Sequence, residues 1–128
     1  LDNYRIRTGD ILQTCSGRNL GPLTVADEYL ARFALSHDMI RVSIDDEIDR
    51  YYTLAVLQSP TGQALLRGDL GGSVIDHITT AQVSDVQIPF IEPIRKETAR
   101  LMHEAVTMRE VARITLALLS TTLTKSTP

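Results

Sequence analysis

Pro89 and Pro93 divide this chain into two kinds of sequence, and the second kind leaves little choice of structure. Beyond them, Ile94, Thr98, Leu101, Ala105, Met108, Ala112, Thr115, Leu119 and Thr122 recur in steps of four and three, the repeat of a coiled-coil seam. Val106, Val111, Ile114 and Leu118 widen the stripe. No strand carries such a repeat, so the spacing predicts one long helix of coiled-coil type over 92–123, with 124–128 as a frayed Thr-rich tail. A helix with so broad an apolar face does not stand alone in water. It requires a second helix or a second copy of itself, met through residues 94–122, with Ile94, Leu101, Ala105, Met108, Ala112, Thr115 and Leu119 at the interface.

Before the prolines the pattern changes to short segments punctuated by turn residues. Tyr4, Ile6 and Thr8 alternate with Arg5 and Arg7, which predicts a half-buried strand, and Gly9-Asp10 turns it into a second one at Ile11–Thr14. Ser16-Gly17, Asn19 and Gly21-Pro22 supply a loop. Tyr29 to Leu35 fits helix and strand equally, whereas Ile40, Val42 and Ile44 alternate as a strand. Acids at 45, 46, 47 and 49 precede Tyr51, Tyr52, Leu54, Ala55 and Leu57, so a helix is expected over Glu47–Gln58 with its acids at the positive end of the dipole. Ser59-Pro60 reads as an N-cap and first helical position, opening a short helix through Leu66 that Gly68, Gly71 and Gly72 stop. Expected further on are a strand at Ser73–Ile75, one helical turn capped by Thr80 through Val83, and a strand over Asp85–Ile88 ended by Pro89.

The composition narrows the functional classes. The 128 residues fit one folded unit, and 43% hydrophobic content supports a modest core. With two Phe, four Tyr and no Trp, that core is aliphatic and a base-stacking surface is not expected. The net charge of -3 is divided unevenly: seven basic against twelve acidic residues through Ile91, six against four from Glu92 onward. A strongly basic phosphate-binding surface is therefore not advertised by composition. The single Cys15 excludes an internal disulfide and reads as a small buried residue suited to a reducing compartment. Without a signal peptide or an apolar run of about 20 residues, a soluble cytoplasmic protein is expected.

Sites for chemistry are scarce. Asp45, Asp46, Glu47 and Asp49 lack the spacing and turn glycine of a calcium loop and read as a solvated helix start. His37, His77 and His103 are scattered and make no metal spacing with Cys15; His37 and His103 read as surface or seam residues. No nucleophile elbow and no phosphate-binding glycine loop occurs. No metal or cofactor is expected. The remaining candidates are polar groups that DNA readers use: Arg18 beside Asn19 in a turn, with Thr14 and Ser16 as small donors; Arg5 and Arg7 on one face of the first segment, extended by Arg41 if the strands are neighbours; and His77 after Asp76 in a loop. Solvated surface arginines and an ordinary loop histidine are the competing readings.

Three ordered segments sharpen the choice: Gly9-Asp10-Ile11-Leu12 through Ser16-Gly17 with Leu20-Gly21 after it, Leu57-Gln58-Ser59-Pro60-Thr61-Gly62, and Gly72-Ser73-Val74-Ile75-Asp76-His77-Ile78-Thr79. Followed by Ile88-Pro89-Phe90 and the long helix, the series resembles the target recognition domain of type I restriction-modification specificity subunits. The resemblance implies an α+β fold, a partial recognition domain over 1–91 with short strands in a β-helix-like arrangement, and a helix over 92–123 that packs against another. It also implies a non-enzymatic function: reading double-stranded DNA for a DNA methyltransferase subunit, and through it a restriction subunit, with the cofactors on those partners. The family's recognition domain extends further upstream than Leu1, so preceding residues are expected. Two other readings stand beside it. The chain is the recognition end of a single-chain adenine methyltransferase or restriction enzyme, which an Asn-Pro-Pro-Tyr-type motif ahead of Leu1 would establish; or it is a protein-interaction module that dimerises through its helix and does not touch DNA.

Overall fold

The computed structural model describes residues 2–15, 23–66 and 78–126. Its centre is a three-stranded antiparallel sheet made of β1 (Ile11–Thr14), β2 (Leu23–Val25) and β3 (Met39–Val42), in the order β2-β1-β3. Ile11 stands opposite both Val25 and Val42, and Gln13 opposite both Leu23 and Ile40. Since side chains alternate across a strand, these rows share one face. That face carries the main core, and it packs against α1 (Glu47–Gln58) through Tyr51, Leu54 and Leu57. Leu12 lies on the opposite face in a smaller cluster with Ile6 and Ala26.

The chain enters the sheet through a tight turn that only glycine completes without strain. The Asp10 N–H donates to the Arg7 carbonyl at 3.0 Å, and Gly9 between them has φ +92°. Asp10 is 4% exposed, so its carboxylate must be satisfied internally. It accepts from the Arg7 N–H at 2.9 Å and the Ser43 hydroxyl at 2.6 Å, with the Arg41 guanidinium at 3.6 Å.

The helical half of the fold follows sequence chemistry closely. Asp46 caps α1, accepting the Asp49 N–H at 2.8 Å. Ser59 caps α2 (Pro60–Leu66), its hydroxyl accepting the Gly62 N–H at 3.1 Å. In α3 (Thr80–Asp85) a reciprocal capping box pairs Thr79 with Gln82. Finally α4 (Glu92–Ser126) runs for 35 residues, about 50 Å at 1.5 Å per residue.

The architecture is thus α+β, a short-stranded antiparallel sheet with a long C-terminal helix, and several local expectations need correction. Tyr4–Thr8 is not a strand: Asp2–Tyr4 makes a turn of 3-10 helix, and only Arg5 forms an isolated bridge, to Ala34. Its alternation buries Ile6, but the turn centred on Gly9 begins too soon for a ladder. Asp85–Ile88 is not a strand either; Asp85 ends α3, and Val86 and Ile88 pack on the core without a ladder partner. The cap of α3 is Thr79, one residue earlier than expected. The strand expected at Ser73–Ile75 and the loop at Ser16–Pro22 lie outside the described residues.

Candidate functional site

Two of the three signature segments meet at one hydrogen bond. The Ile78 N–H donates to the Cys15 carbonyl at 2.7 Å, and the Cys15 N–H donates to the Asp38 carbonyl at 2.8 Å. Cys15 immediately precedes Ser16 in the chain, and Ile78 immediately follows His77. Both anchors are buried, at 2% and 0% exposure, so the point of juncture is fixed by the core. The third segment closes on the same sheet, where the Gln58 amide donates to the Leu23 carbonyl at 3.3 Å. Of the loop candidates themselves, Thr14 is half-buried at the end of β1 opposite Met39, while Ser16, Arg18, Asn19 and His77 lie outside the described residues.

Arg5, Arg7 and Arg41 are brought together, though not as neighbouring strands. Arg41 reaches across to donate to the Arg5 carbonyl while its guanidinium faces Asp10. Arg5 and Arg7 are exposed, and their side chains carry no ion pair or hydrogen bond among the described residues. Arg41 is therefore a structural cation, whereas the Arg5 and Arg7 side chains are turned to solvent.

Cys15 is unsuited to nucleophilic work. Burial pushes its thiol pKa up, the Asp38 charge adds to the rise, and the Sγ lies 3.7 Å from the His37 carbonyl oxygen. Two of the acids at the start of α1 are engaged in structure, Asp46 as its cap and Asp49, in its first turn, in an ion pair with Arg95. Among the described residues no group of three or more His, Cys, Asp or Glu side chains is placed to hold a metal ion. Nor is any described helix long and apolar enough to cross a membrane.

The long helix presents more surface than its seam suggested. Its docking face runs through Arg95, Ala99, Met102, Val106 and Arg113, with Ala99 buried at 4% and Met102 and Val106 packed on the main core. Polar contacts reinforce it: Arg113 pairs with Asp27 at 2.6 Å, His103 stacks on Tyr51 with ring centroids 4.3 Å apart and lies 3.1 Å from Glu47, and the Ile91 N–H donates to the Tyr52 hydroxyl at 3.3 Å. The seam is elsewhere, roughly 130° around the axis at 3.6 residues per turn. Ile94, Leu101, Met108 and Leu119 on it are 48%, 52%, 68% and 54% exposed, and Ala105, Ala112 and Thr115 are exposed as well. The helix thus serves the head with one face and shows solvent the other. Sequence reasoning missed the docking face because it is held by charged and aromatic partners as much as by apolar ones.

From Ile114 to Thr124 the helix carries no charged residue, and Leu116, Leu118 and Leu119 point to different sides. The threonine hydroxyls there are silenced internally: Thr115, Thr121, Thr122 and Thr124 each donate to the carbonyl four residues earlier, at 2.8–3.0 Å. What remains outward is largely methyl and aliphatic surface.

Comparison with protein-family models, with curated proteins and with solved structures found no match to this chain.

Proposed function

We propose that the chain is a non-catalytic DNA-recognition unit of the kind found in type I specificity subunits, reading duplex DNA while α4 couples it to a second helix and a methyltransferase subunit. The observation that carries this reading is the Cys15–Ile78 hydrogen bond, which ties the two signature segments at the roots of the stretches bearing Ser16–Asn19 and His77. Residues far apart in sequence are given a common base, as one contact surface for DNA requires. Arg5 and Arg7, whose side chains make no ion pair or hydrogen bond among the described residues, supply cations for the phosphates. In this reading the described sheet is part of the family's β-helix-like arrangement, and the exposed seam from Ile94 to Leu119 is of coiled-coil type. Selection from a random-sequence duplex pool tests it: the chain enriches one recurrent sequence, and a pool that stays uniform at low salt refutes the reading.

A second reading has its own support in the exposed seam and the acid-rich head, which suit a protein-interaction module that dimerises through α4. Duplex binding separates the two, since affinity falls steeply with salt only where phosphates are neutralised.

A further inference from the structure

The few aromatic residues of this chain are not spread evenly, and half of them gather on one exposed ribbon. The segment at Tyr4–Ile6 runs beside Phe33–Leu35: the Leu35 N–H donates to the Tyr4 carbonyl at 2.7 Å, Arg5 bridges Ala34, and the Ile6 N–H donates to the Phe33 carbonyl at 3.3 Å. Tyr4, Tyr29 and Phe33 are 55%, 44% and 49% exposed, whereas Tyr51 and Tyr52 are buried in the core. Tyr29 and Phe33 meet edge to face with centroids 5.3 Å apart, which holds both rings at defined angles. Arg32 and Arg113 both lie over the Tyr29 ring, 5.7 Å and 4.7 Å from its centroid, so Tyr29 is engaged as a buttress for Phe33 and the open rings are Tyr4 and Phe33.

The charges around the ribbon are unequal in availability. Asp27 is held by Arg113 and by the Leu30 N–H at 2.8 Å, and Asp10 by Arg41 and Ser43. Glu28 stays exposed at the edge. Arg5 and Arg32 make no ion pair or hydrogen bond through their side chains among the described residues. Exposed aromatic faces interleaved with available guanidinium groups are the two parts of a single-strand platform, rings for bases and cations for phosphates. A duplex offers its phosphates but hides its base faces in the stack, so only an unpaired strand satisfies both parts.

We infer that the ribbon formed by Tyr4, Arg5, Arg32 and Phe33 binds single-stranded DNA, with bases stacked on the Tyr4 and Phe33 rings and phosphates on the two arginines. The inference does not depend on the duplex reading, although both call on Arg5.

The test is a titration of the 128-residue chain with labelled oligo(dT) and, separately, with a duplex of equal length, across salt. Oligo(dT) binds, Phe33→Leu weakens it about tenfold, the scale of one lost base stack, and Arg32→Ala weakens it as well. Arg32→Ala also makes the salt dependence shallower by about 0.7 in log–log slope, as for one phosphate contact on a single strand. Because a variant can disturb its neighbours, nitration of the wild-type protein gives an independent reading. Oligo(dT) protects Tyr4, with buried Tyr51 and Tyr52 as internal reference. Absence of oligo(dT) binding at low salt overturns the proposal, as does binding that leaves Phe33→Leu unaffected and Tyr4 unprotected. Duplex binding that survives either result leaves the duplex reading standing, and duplex binding that fails alone removes that reading and not this one.

Discussion

At Gly62 a Cβ would lie 1.9 Å from the Val56 carbonyl oxygen and 2.6 Å from the Leu57 Cα. Both obstacles are backbone of α1, so neither swings aside. Gly62→Ala must therefore push α2 off α1, and an overpacking cost of about 3 kcal/mol is expected in urea unfolding. Gly9 is constrained differently. Its Cβ would meet the Arg50 guanidinium at 3.1 Å, the far end of a flexible side chain, but its φ of +92° is unfavourable for any L residue. Gly9→Ala should cost about 1–2 kcal/mol, mostly as backbone strain, so the same melts should rank it below Gly62→Ala. Equal costs would mean that the α1–α2 approach relaxes more easily than its geometry implies. Both glycines belong to the segments that carry the resemblance, and both serve scaffold geometry at turns and junctions.

Among the elements, α4 has its far anchor at Asp27 and Arg113. Burial alone would raise the Asp27 carboxyl, but the Leu30 N–H and the Arg113 guanidinium outweigh it and hold the pKa below the ordinary carboxylate value. A depressed folded-state pKa stabilises the fold fully above the unfolded value near 4 and loses that contribution as pH falls through the folded value. Hydrogen exchange in the middle of α4 should therefore stay flat from neutral pH to about pH 5 and accelerate below about pH 4, after correction for intrinsic rates. Asp27→Asn should remove the acid limb and weaken the dock by roughly 0.5–1 kcal/mol, since Arg113 is 41% exposed and solvent screens the pair. An acid limb that persists in the variant would assign it to another carboxylate. The same element shows what sequence makes legible. Caps and dipole acids mark α1 and α2 because those signals are local, and the four-three repeat marks α4 for the same reason. The three-residue β2 escapes because its pairing with β1 is a tertiary fact, and Tyr4–Thr8 misleads because burial of Ile6 imitates a strand without a ladder. The docking face of α4 escapes because Arg95, His103 and Arg113 find their partners at Asp49, Tyr51 and Asp27, distant in sequence. The candidate site divides along the same line: Arg5 and Arg7 are recognisable as cations, but the aromatic ribbon beside them exists only once residues 4–6 lie along 33–35.

For the whole molecule, the decisive asymmetry is that the head leaves the last third of α4 uncovered. Every residue from Ile114 to Ser126 is exposed, a projection of about 20 Å beyond Arg113 at 1.5 Å per residue. Leu116, Leu118 and Leu119 are 67%, 63% and 54% exposed, while a helix that is apolar on all sides is normally enclosed. Burying one leucine fully contributes roughly 1.5–3 kcal/mol. Placing a carboxylate at two such positions removes that gain and adds a desolvation cost, so Leu116→Glu with Leu119→Glu should weaken self-association at least about a hundredfold. Sedimentation velocity over a range of concentrations reads this directly: the wild-type chain sediments with a concentration-dependent component heavier than one 14.2 kDa chain, and the double variant stays at one chain. The head supplies the control, because neither leucine touches its core; urea midpoints of its unfolding should coincide in the two proteins. A wild-type chain that remains single at high concentration excludes self-pairing of α4.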